Sequence, residues 1–372
     1  MNISAAESGL QSTDFRLRSV IPDQSTRPLR VAIIGAGLMG YWHGRAARHV
    51  GSQVVAIVDP DANRARTLAR ACQASTVATQ VSELHGSGLD AVHICSPAST
   101  HGALTVQVLD AGMHALVEKP LAESADETRR LLAIAQRNSV ILCPVHQIAF
   151  QACIEGAAEA LSTLEGSCAI DFRVYSAGGA GRSESELDEI VGNILPHPFS
   201  VLRRLWPHAA WEPHRWFVIR PRPGELLVAG EHAGALLSLL VSMHARPTCF
   251  EMTVHSHRGA IALDFFHGFA IRYDGKVSRF RKIARPFAIS LKLFGAASRN
   301  LIRRGLSAEV AYPGLQLLTR AFYSAVQGAN PPPISVDDAI AVAVARDAVL
   351  AGANRSVRGR SSLDGASRCL AP

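Results

Sequence analysis

The chain has 372 residues, enough for two domains, and its 48% hydrophobic and 19% charged residues exclude a largely disordered protein. Its net charge is +7, and the excess positive charge is concentrated in one segment: positions 275–308 carry nine Lys and Arg residues and no acidic residue. The remainder is slightly acidic, a pattern that argues against nucleic acid as a partner.

The same inventory bears on compartment and metal binding. No apolar run of about 18 residues lacks a charge or a turn former, so we expect no membrane span. The first 30 residues are polar and contain no apolar signal core, so we expect a cytoplasmic location. The seven cysteines form no C-x-x-C pair, and we expect reduced thiols and no metal site.

A change of pattern near residue 148 predicts the domain organisation. We expect a flexible arm at 1–28, a Rossmann domain at 29–148, a substrate or oligomerisation domain at 149–351 and a flexible tail at 352–372. In the Rossmann domain, apolar runs at 31–34, 54–58, 91–95, 114–117 and 140–142 alternate with helical patterns. This alternation is typical of an α/β fold with a doubly wound parallel sheet.

Strand-like segments dominate the second domain, which we predict to be α+β with a large, mostly antiparallel sheet. They lie at 167–175, 216–220, 224–228, 235–243, 248–256, 260–265, 270–273 and 277–282. The Asp274-Gly275 pair predicts a hairpin turn before the last of them. Helices are expected at 287–304, opened by Pro286, and at 312–328 and 335–351. An exposed sheet face predicts a homo-oligomer, either a dimer or a tetramer.

A glycine motif follows the first predicted strand. Gly35, Gly37 and Gly40 form G-x-G-x-x-G, with Leu38 and Met39 at the start of the next helix. The first glycine permits a tight turn, the second lets the backbone approach a pyrophosphate, and the third allows close packing of helix on strand. The motif therefore predicts a dinucleotide site.

Asp59 ends the next strand, 19 residues after Gly40. An acid at this place accepts hydrogen bonds from the adenosine ribose, and its negative charge favours NAD. Arg64 could still reach a 2′-phosphate, so NADP stays open as an alternative.

Two segments resemble a known family. The segment from Cys95 to His101 reads CSPASTH, and the segment from Val117 to Ala122 reads VEKPLA. With the glycine motif they resemble the Gfo/Idh/MocA family, over about residues 30–350. The resemblance implies an NAD(P)-dependent oxidoreductase that moves a hydride between nicotinamide and a hydroxyl carbon of a sugar or sugar derivative. A nucleotide-linked sugar is one such substrate.

The resemblance also assigns site residues. It implies that Ser96, Pro97, His101 and Glu118 contact the cofactor. It places Lys119 at the reacting hydroxyl, where an ammonium stabilises developing alkoxide charge.

The second domain contributes the other implied site residues. The resemblance makes His197 the histidine that exchanges the hydroxyl proton. The family's aspartate four residues earlier is Asn193 here. We expect Asn193 to share a helix face with His197 and to orient it without raising its pKa. This departure leaves open a second hypothesis, a non-catalytic NAD(P)-binding sensor or regulatory subunit.

The basic segment 276–304 has three interpretations. Its apolar residues repeat at helical spacing, which predicts a helix packed on the sheet with a solvated basic side. The alternatives are a clamp for substrate phosphates and a peripheral contact with anionic lipid.

Overall fold

The structure is a computed structural model that describes residues 27–163, 166–275, 278–307, 309 and 311–368. Residues 1–26 of the arm predicted at 1–28 lie outside the described residues.

The first sheet has six parallel strands in the order β3-β2-β1-β4-β5-β6. This order, with helices between the strands, confirms the doubly wound Rossmann fold. The sequence analysis missed only β3, a three-residue strand. The strands are β1 (Arg30–Ile34), β2 (Gln53–Val58), β3 (Thr76–Ala78), β4 (Ala91–Ile94), β5 (His114–Val117) and β6 (Leu142–Pro144).

Four helices connect these strands: α1 (Leu38–His49), α2 (Ala62–Cys72), α3 (Ala98–Asp110) and α4 (Ala125–Arg137). The side chain of Asp61 caps α2 and that of Ser124 caps α4. By contrast, the N-cap residues of α1 and α3 are Gly37 and Pro97, and neither helix has a side-chain cap. These two helices therefore start without a side-chain acceptor for their first N–H groups, at the edge where open parallel sheets bind ligands.

The second sheet has seven strands in the order β13-β12-β11-β7-β10-β9-β8. Every neighbouring pair is antiparallel except β7 and β10, which confirms a mostly antiparallel sheet. Helices α5 (Ala152–Thr163), α6 (Glu184–Ile194) and α7 (Pro196–Leu205) belong to the same half. The strands are β7 (Ser167–Tyr175), β8 (Phe217–Ile219), β9 (Glu225–His232), β10 (Ala235–Ser242), β11 (Cys249–Ser256), β12 (Gly259–Asp264) and β13 (Phe269–Asp274).

The segment after β13 corrects two predictions. Helix α8 (Arg279–Leu306) occupies most of the predicted strand at 277–282, of which residue 277 lies outside the described residues. Arg and Lys, which are frequent there, form helices more readily than strands. Pro286 lies inside the helix and does not open it. Since no strand follows β13, it forms the edge of the second sheet in the described part of the chain.

The last two helices correct the predicted domain limits. Helix α9 (Leu315–Val326) packs in the core of the first domain, because its buried face includes Leu318 and Phe322 of that core. The range 149–351 is therefore not one contiguous second domain.

Helix α10 (Val336–Arg368) runs through the segment predicted as a flexible tail. Ala353 is buried, and a Cβ on Gly352 would lie 2.8 Å from a Val218 methyl carbon. The tail prediction from residue 352 is therefore wrong at its start, because small residues there allow the helix to pack on β8.

Candidate functional site

The three glycines of the loop after β1 differ in why a glycine is found at each position. A Cβ on Gly35 would lie 2.7 Å from the Cys95 carbonyl, and one on Gly40 would lie 1.9 Å from the Gly35 oxygen. Gly35 also has φ +96°, a conformation that favours glycine. These two positions are glycine because the chain's own backbone leaves no space.

Gly37 is different, because nothing in the backbone requires a glycine there. It has an ordinary φ of −85°, and a Cβ would meet only the end of the Arg64 guanidinium, at 3.3 Å. The loop is thus a cradle that a side chain would fill, in front of the uncapped start of α1. Such a cradle fits an anionic pyrophosphate, with Leu38 and the half-buried Met39 in the first turn.

Asp59 directly follows β2 and is buried. Its Oδ2 accepts a hydrogen bond from the Ala36 N–H (2.7 Å), and its Oδ1 accepts one from the Asp61 N–H (2.9 Å). The carboxylate therefore fixes the glycine loop against the end of β2. The Arg64 guanidinium also lies beside the loop, 3.3 Å from where a Cβ of Gly37 would be.

His101 connects the loops that follow β4 and β5. Its Nδ1 lies 2.7 Å from the Pro120 carbonyl oxygen, and its Nε2 lies 2.9 Å from the Ser96 carbonyl oxygen. The side chain is almost completely buried. His101 thus fixes the shape of the loop containing Pro97, and its ring nitrogens face the protein backbone.

Lys119 lies between the two halves of the molecule. Its Nζ donates to the main-chain oxygen of Asn193 at 3.2 Å. Burial lowers the pKa of Lys119, and the negative charge of Glu118 opposes that shift. Burial would raise the pKa of Glu118, but the His43 hydrogen bond and nearby positive charge bring it below its ordinary value. The site therefore contains a buried carboxylate directly beside a half-buried lysine.

His197 is the second residue of α7, directly after Pro196. Its Nδ1 is buried and has no hydrogen-bond partner. Burial, followed by the charges of Lys119 and His146, holds its pKa well below the ordinary value. His197 is therefore neutral at physiological pH, and its buried Nδ1 has no hydrogen-bond partner in the protein.

Asn193 does not share one regular helix with His197. Asn193 lies in the last turn of α6. Only Leu195 separates the end of α6 from Pro196, the first residue of α7. The contact that the structure gives Asn193 at this site is the one from its main-chain oxygen to Lys119. The predicted shared helix face is corrected in this respect, because proline interrupts the helical hydrogen bonds.

A row of buried polar groups extends from Glu118 into the first domain. His43 Nε2 lies 3.1 Å from Glu118 Oε1, His43 Nδ1 lies 2.9 Å from His93 Nδ1, and His93 Nε2 lies 2.8 Å from the Tyr323 hydroxyl. With both rings neutral, one proton arrangement satisfies every contact: Tyr323 donates to His93, His93 to His43, and His43 to Glu118. Burial lowers the pKa of His93 well below its ordinary value and raises that of Tyr323.

The sequence analysis missed His43, His93, His146 and Tyr323. His146 follows β6, is buried, and has its pKa lowered by burial to about 4. Its position after a parallel strand was the available signal, since ligands bind at that edge. For the other three, which lie far apart in the chain, the sequence carried no comparable signal.

Two negative findings apply to the described ranges. No helix there is long and apolar enough to cross a membrane. No group of three or more His, Cys, Asp or Glu side chains in those ranges is placed to hold a metal ion.

Residues 29–146 match GFO_IDH_MocA, described as an oxidoreductase family with an NAD-binding Rossmann fold. An inositol 2-dehydrogenase of Leifsonia xyli is 40% identical over 114 residues, which are 30% of this chain and 34% of that protein. A UDP-N-acetylglucosamine 3-dehydrogenase of Acidithiobacillus ferrooxidans is 32% identical over 121 residues, 32% of this chain and 37% of that protein. The sequence match thus spans about a third of these relatives.

Solved structures extend the similarity of fold to both halves. The UDP-N-acetylglucosamine 3-dehydrogenase GnnA of Acidithiobacillus ferrooxidans has a TM-score of 0.68 at 18% identity, covering 89% of this chain and 99% of that chain. The WlbA dehydrogenase of Bordetella pertussis, solved with NADH and UDP-GlcNAcA, has a TM-score of 0.68 at 17% identity, covering 90% and 96%. At these identities the likeness concerns the fold.

Proposed function

Since residues 29–146 match the model of the Gfo/Idh/MocA family and fold as a Rossmann domain, we propose that the chain is an NAD(P)-dependent dehydrogenase or reductase of a sugar hydroxyl. The observation that carries the proposal is that the Lys119 ammonium reaches the Asn193 carbonyl of the second half, close enough to His197 for its charge to lower the pKa of that histidine. A buried carboxylate adjoins the lysine, and the histidine presents an unpartnered buried nitrogen.

The cofactor's place follows from the glycine loop. The Gly37 cradle and the start of α1 hold the pyrophosphate, while Asp59 and Arg64 face the adenosine ribose. The negative charge of Asp59 favours NAD, and Arg64 keeps NADP as the alternative. Ser96, Pro97 and Glu118 lie at the ends of β4 and β5, where the nicotinamide end is expected. When bound, the cofactor supplies the hydride acceptor or donor.

Lys119 has the charge-stabilising role. Its ammonium is held by the Asn193 carbonyl and lies beside Glu118, so it is oriented before a substrate arrives. A cation in a partly buried site stabilises the negative charge that develops on the substrate oxygen. Burial lowers the pKa of Lys119, and the negative charge of Glu118 opposes this change. Glu118 therefore helps to keep the lysine protonated.

His197 has the proton-accepting role. A base must be neutral to accept a proton, and the lowered pKa keeps the ring neutral at physiological pH. We assign the proton of the substrate hydroxyl to the half-buried imidazole of His197. In the reductive direction the same ring returns the proton to the forming hydroxyl.

A nucleotide-linked sugar is the substrate class that we propose. The inositol 2-dehydrogenase and the UDP-N-acetylglucosamine 3-dehydrogenase among the relatives support a cyclic polyhydroxy ring. The similarity of fold over 89% of the chain to the second of these enzymes supports the nucleotide-linked form.

The location and assembly are also proposals. We propose a cytoplasmic protein that forms a homodimer or homotetramer. The outer face of the second sheet supports the assembly, since Leu236 on β10 is exposed there. Analytical ultracentrifugation would measure the number of subunits.

A turnover assay tests the function. Purified protein is incubated with NAD and UDP-N-acetylglucosamine, its uronic acid or myo-inositol, and nicotinamide absorbance is followed. We expect turnover of a sugar substrate, and we expect Lys119→Ala to lower kcat by about a hundredfold or more with NAD affinity kept. The exposed Lys292, replaced in Lys292→Ala, serves as the control. Tight NAD binding without turnover of any sugar would favour the sensor hypothesis.

A further inference from the structure

Helix α8 presents an apolar face to solvent. Eight of the sixteen large hydrophobic side chains that are exposed in the described part of the chain lie on this helix. Phe287, Phe294 and Leu301 are 71–78% exposed and repeat every seven residues, so they form one row along the helix. Ile283 extends this row, which is then about 27 Å long at the rise of an α-helix.

The polar side of α8 attaches the helix to the second sheet. Lys292 Nζ donates to the Arg272 carbonyl at 3.1 Å, and Asn300 Nδ2 donates to the His267 carbonyl at 2.7 Å. Arg304 donates to the same His267 carbonyl at 3.2 Å. The apolar stripe therefore faces outward because the opposite side is used for packing on the protein.

Basic residues border the stripe. Arg285 and Arg299 are exposed and form a basic row along one side of the helix, whereas Lys292 between them is bonded to the Arg272 carbonyl and paired with Asp274. At 100° per residue, Leu291 and Ile302 lie between this basic row and the apolar row, so the two rows flank one continuous surface. No acidic residue occurs between positions 275 and 308.

The charge pattern of α8 indicates which partner covers its apolar stripe, a second copy of the helix or an anionic lipid surface. A second copy of α8 offers no acidic side chain to this basic helix, and like charges repel. An anionic lipid surface offers both a negative charge for Arg285 and Arg299 and an apolar layer for the stripe. Long basic side chains at the border can reach headgroup phosphates while the apolar side chains enter the acyl boundary.

We propose that α8 is an interfacial membrane helix that binds anionic bilayers and lies parallel to their surface. Phe287, Phe294 and Leu301 insert below the headgroups, and the basic row contacts the phosphates. The protein is thereby held on the membrane through its second domain. The inference rests on the exposed face of α8 and is independent of the proposed enzymatic activity.

Vesicle flotation tests the proposal with the full-length protein. Vesicles of phosphatidylcholine alone are compared with vesicles that also contain phosphatidylglycerol. We expect binding to the anionic vesicles, at least tenfold weaker binding to the neutral ones, and release at high salt. The double variant Phe287→Glu/Phe294→Glu and the double variant Arg285→Glu/Arg299→Glu should each lose at least tenfold in binding.

Phe217→Glu is the matched control, because Phe217 is also exposed, at 65%, but lies on β8. It should bind anionic vesicles as the parent does, and circular dichroism should show all variants folded. Failure of the parent to bind anionic vesicles would overturn the proposal. It would equally be overturned if the parent were a dimer that Phe287→Glu/Phe294→Glu converts to a monomer while vesicle binding stays absent.

Discussion

Asn193 affects the electrostatics of the site more than its packing. Its main-chain oxygen already receives the Lys119 ammonium, so the lysine is positioned without help from the Asn193 side chain. An amide side chain adds no negative charge, and the nearby charges of Lys119 and His146 therefore lower the pKa of His197 without opposition from this position. A carboxylate here would change protonation and leave the backbone contact in place.

Asn193→Asp should therefore shift the pH dependence of sugar oxidation. Negative charge favours the protonated forms of Lys119 and His197 and raises both pKa values. Since His197 must be neutral to accept the proton, the acidic limb of the pH–rate profile should move to higher pH. Asn193→Ala, which adds no charge, should leave that limb in place. An unchanged profile in Asn193→Asp would show that this side chain does not act on the base.

Tyr323→Phe should destabilise the protein through the buried row of polar groups. The hydroxyl of Tyr323 is the donor that His93 Nε2 requires when His93 donates its other proton to His43. Removing the hydroxyl leaves a buried ring nitrogen without a partner, which costs about 1–3 kcal/mol. Urea unfolding would measure the loss. Tyr41→Phe, which alters an exposed ring on α1, should change the free energy of unfolding much less.

At the scale of elements, the sequence predicted what short-range patterns determine. The glycine loop, the parallel strands and seven of the eight strand-like segments of the second domain follow from apolar runs and turn residues. The pattern failed at 277–282, where a few alternating residues cannot distinguish a strand from a helix. It also could not bring α9 back to the first core, since that contact joins residues far apart in the chain.

The same limit applies to the candidate site. Lys119 and His197 were predicted only because both lie in segments that resemble a family. The row formed by His43, His93 and Tyr323 depends on contacts across 50 and 230 positions, which no local periodicity encodes. The four-residue spacing predicted one helix for Asn193 and His197, but Pro196 interrupts the helical hydrogen bonds and the two residues lie on α6 and α7.

The loop between β1 and α1 supports a prediction on cofactor binding. Gly37→Val should weaken NAD binding by more than about tenfold, because the new side chain occupies the cradle that the pyrophosphate requires. The fold should persist, since only the mobile end of Arg64 must move. Isothermal titration calorimetry measures the affinity. Gly156→Ala in α5, where a Cβ meets open space, is the control and should bind NAD as the parent does. Unchanged affinity in Gly37→Val would place the pyrophosphate elsewhere.

At the scale of the whole molecule, neutral histidines are buried in both cores. His93 and His146 lie in the first half, and His197 and His232 lie in the second. Burial is the first cause of the lowered pKa in each, to about 4 for His146 and His232. The unfolded chain, in which the ordinary value is 6.5, binds protons at a higher pH than the folded protein does. Both halves are therefore expected to lose stability together on acidification.

The sign and size of this effect can be tested. Below about pH 6.5 the unfolded state gains protons that the folded state cannot take up, so the free energy of unfolding falls by about 1.4 kcal/mol per pH unit for each such histidine. Urea unfolding between about pH 7 and pH 5 should show this slope. His232→Gln removes one buried ring and should reduce the slope by one proton, whatever its effect at pH 7. His214→Gln, which replaces an exposed ring, should leave the slope as in the parent. Identical slopes in the parent and in His232→Gln would show that His232 binds its proton equally well in the folded and unfolded states.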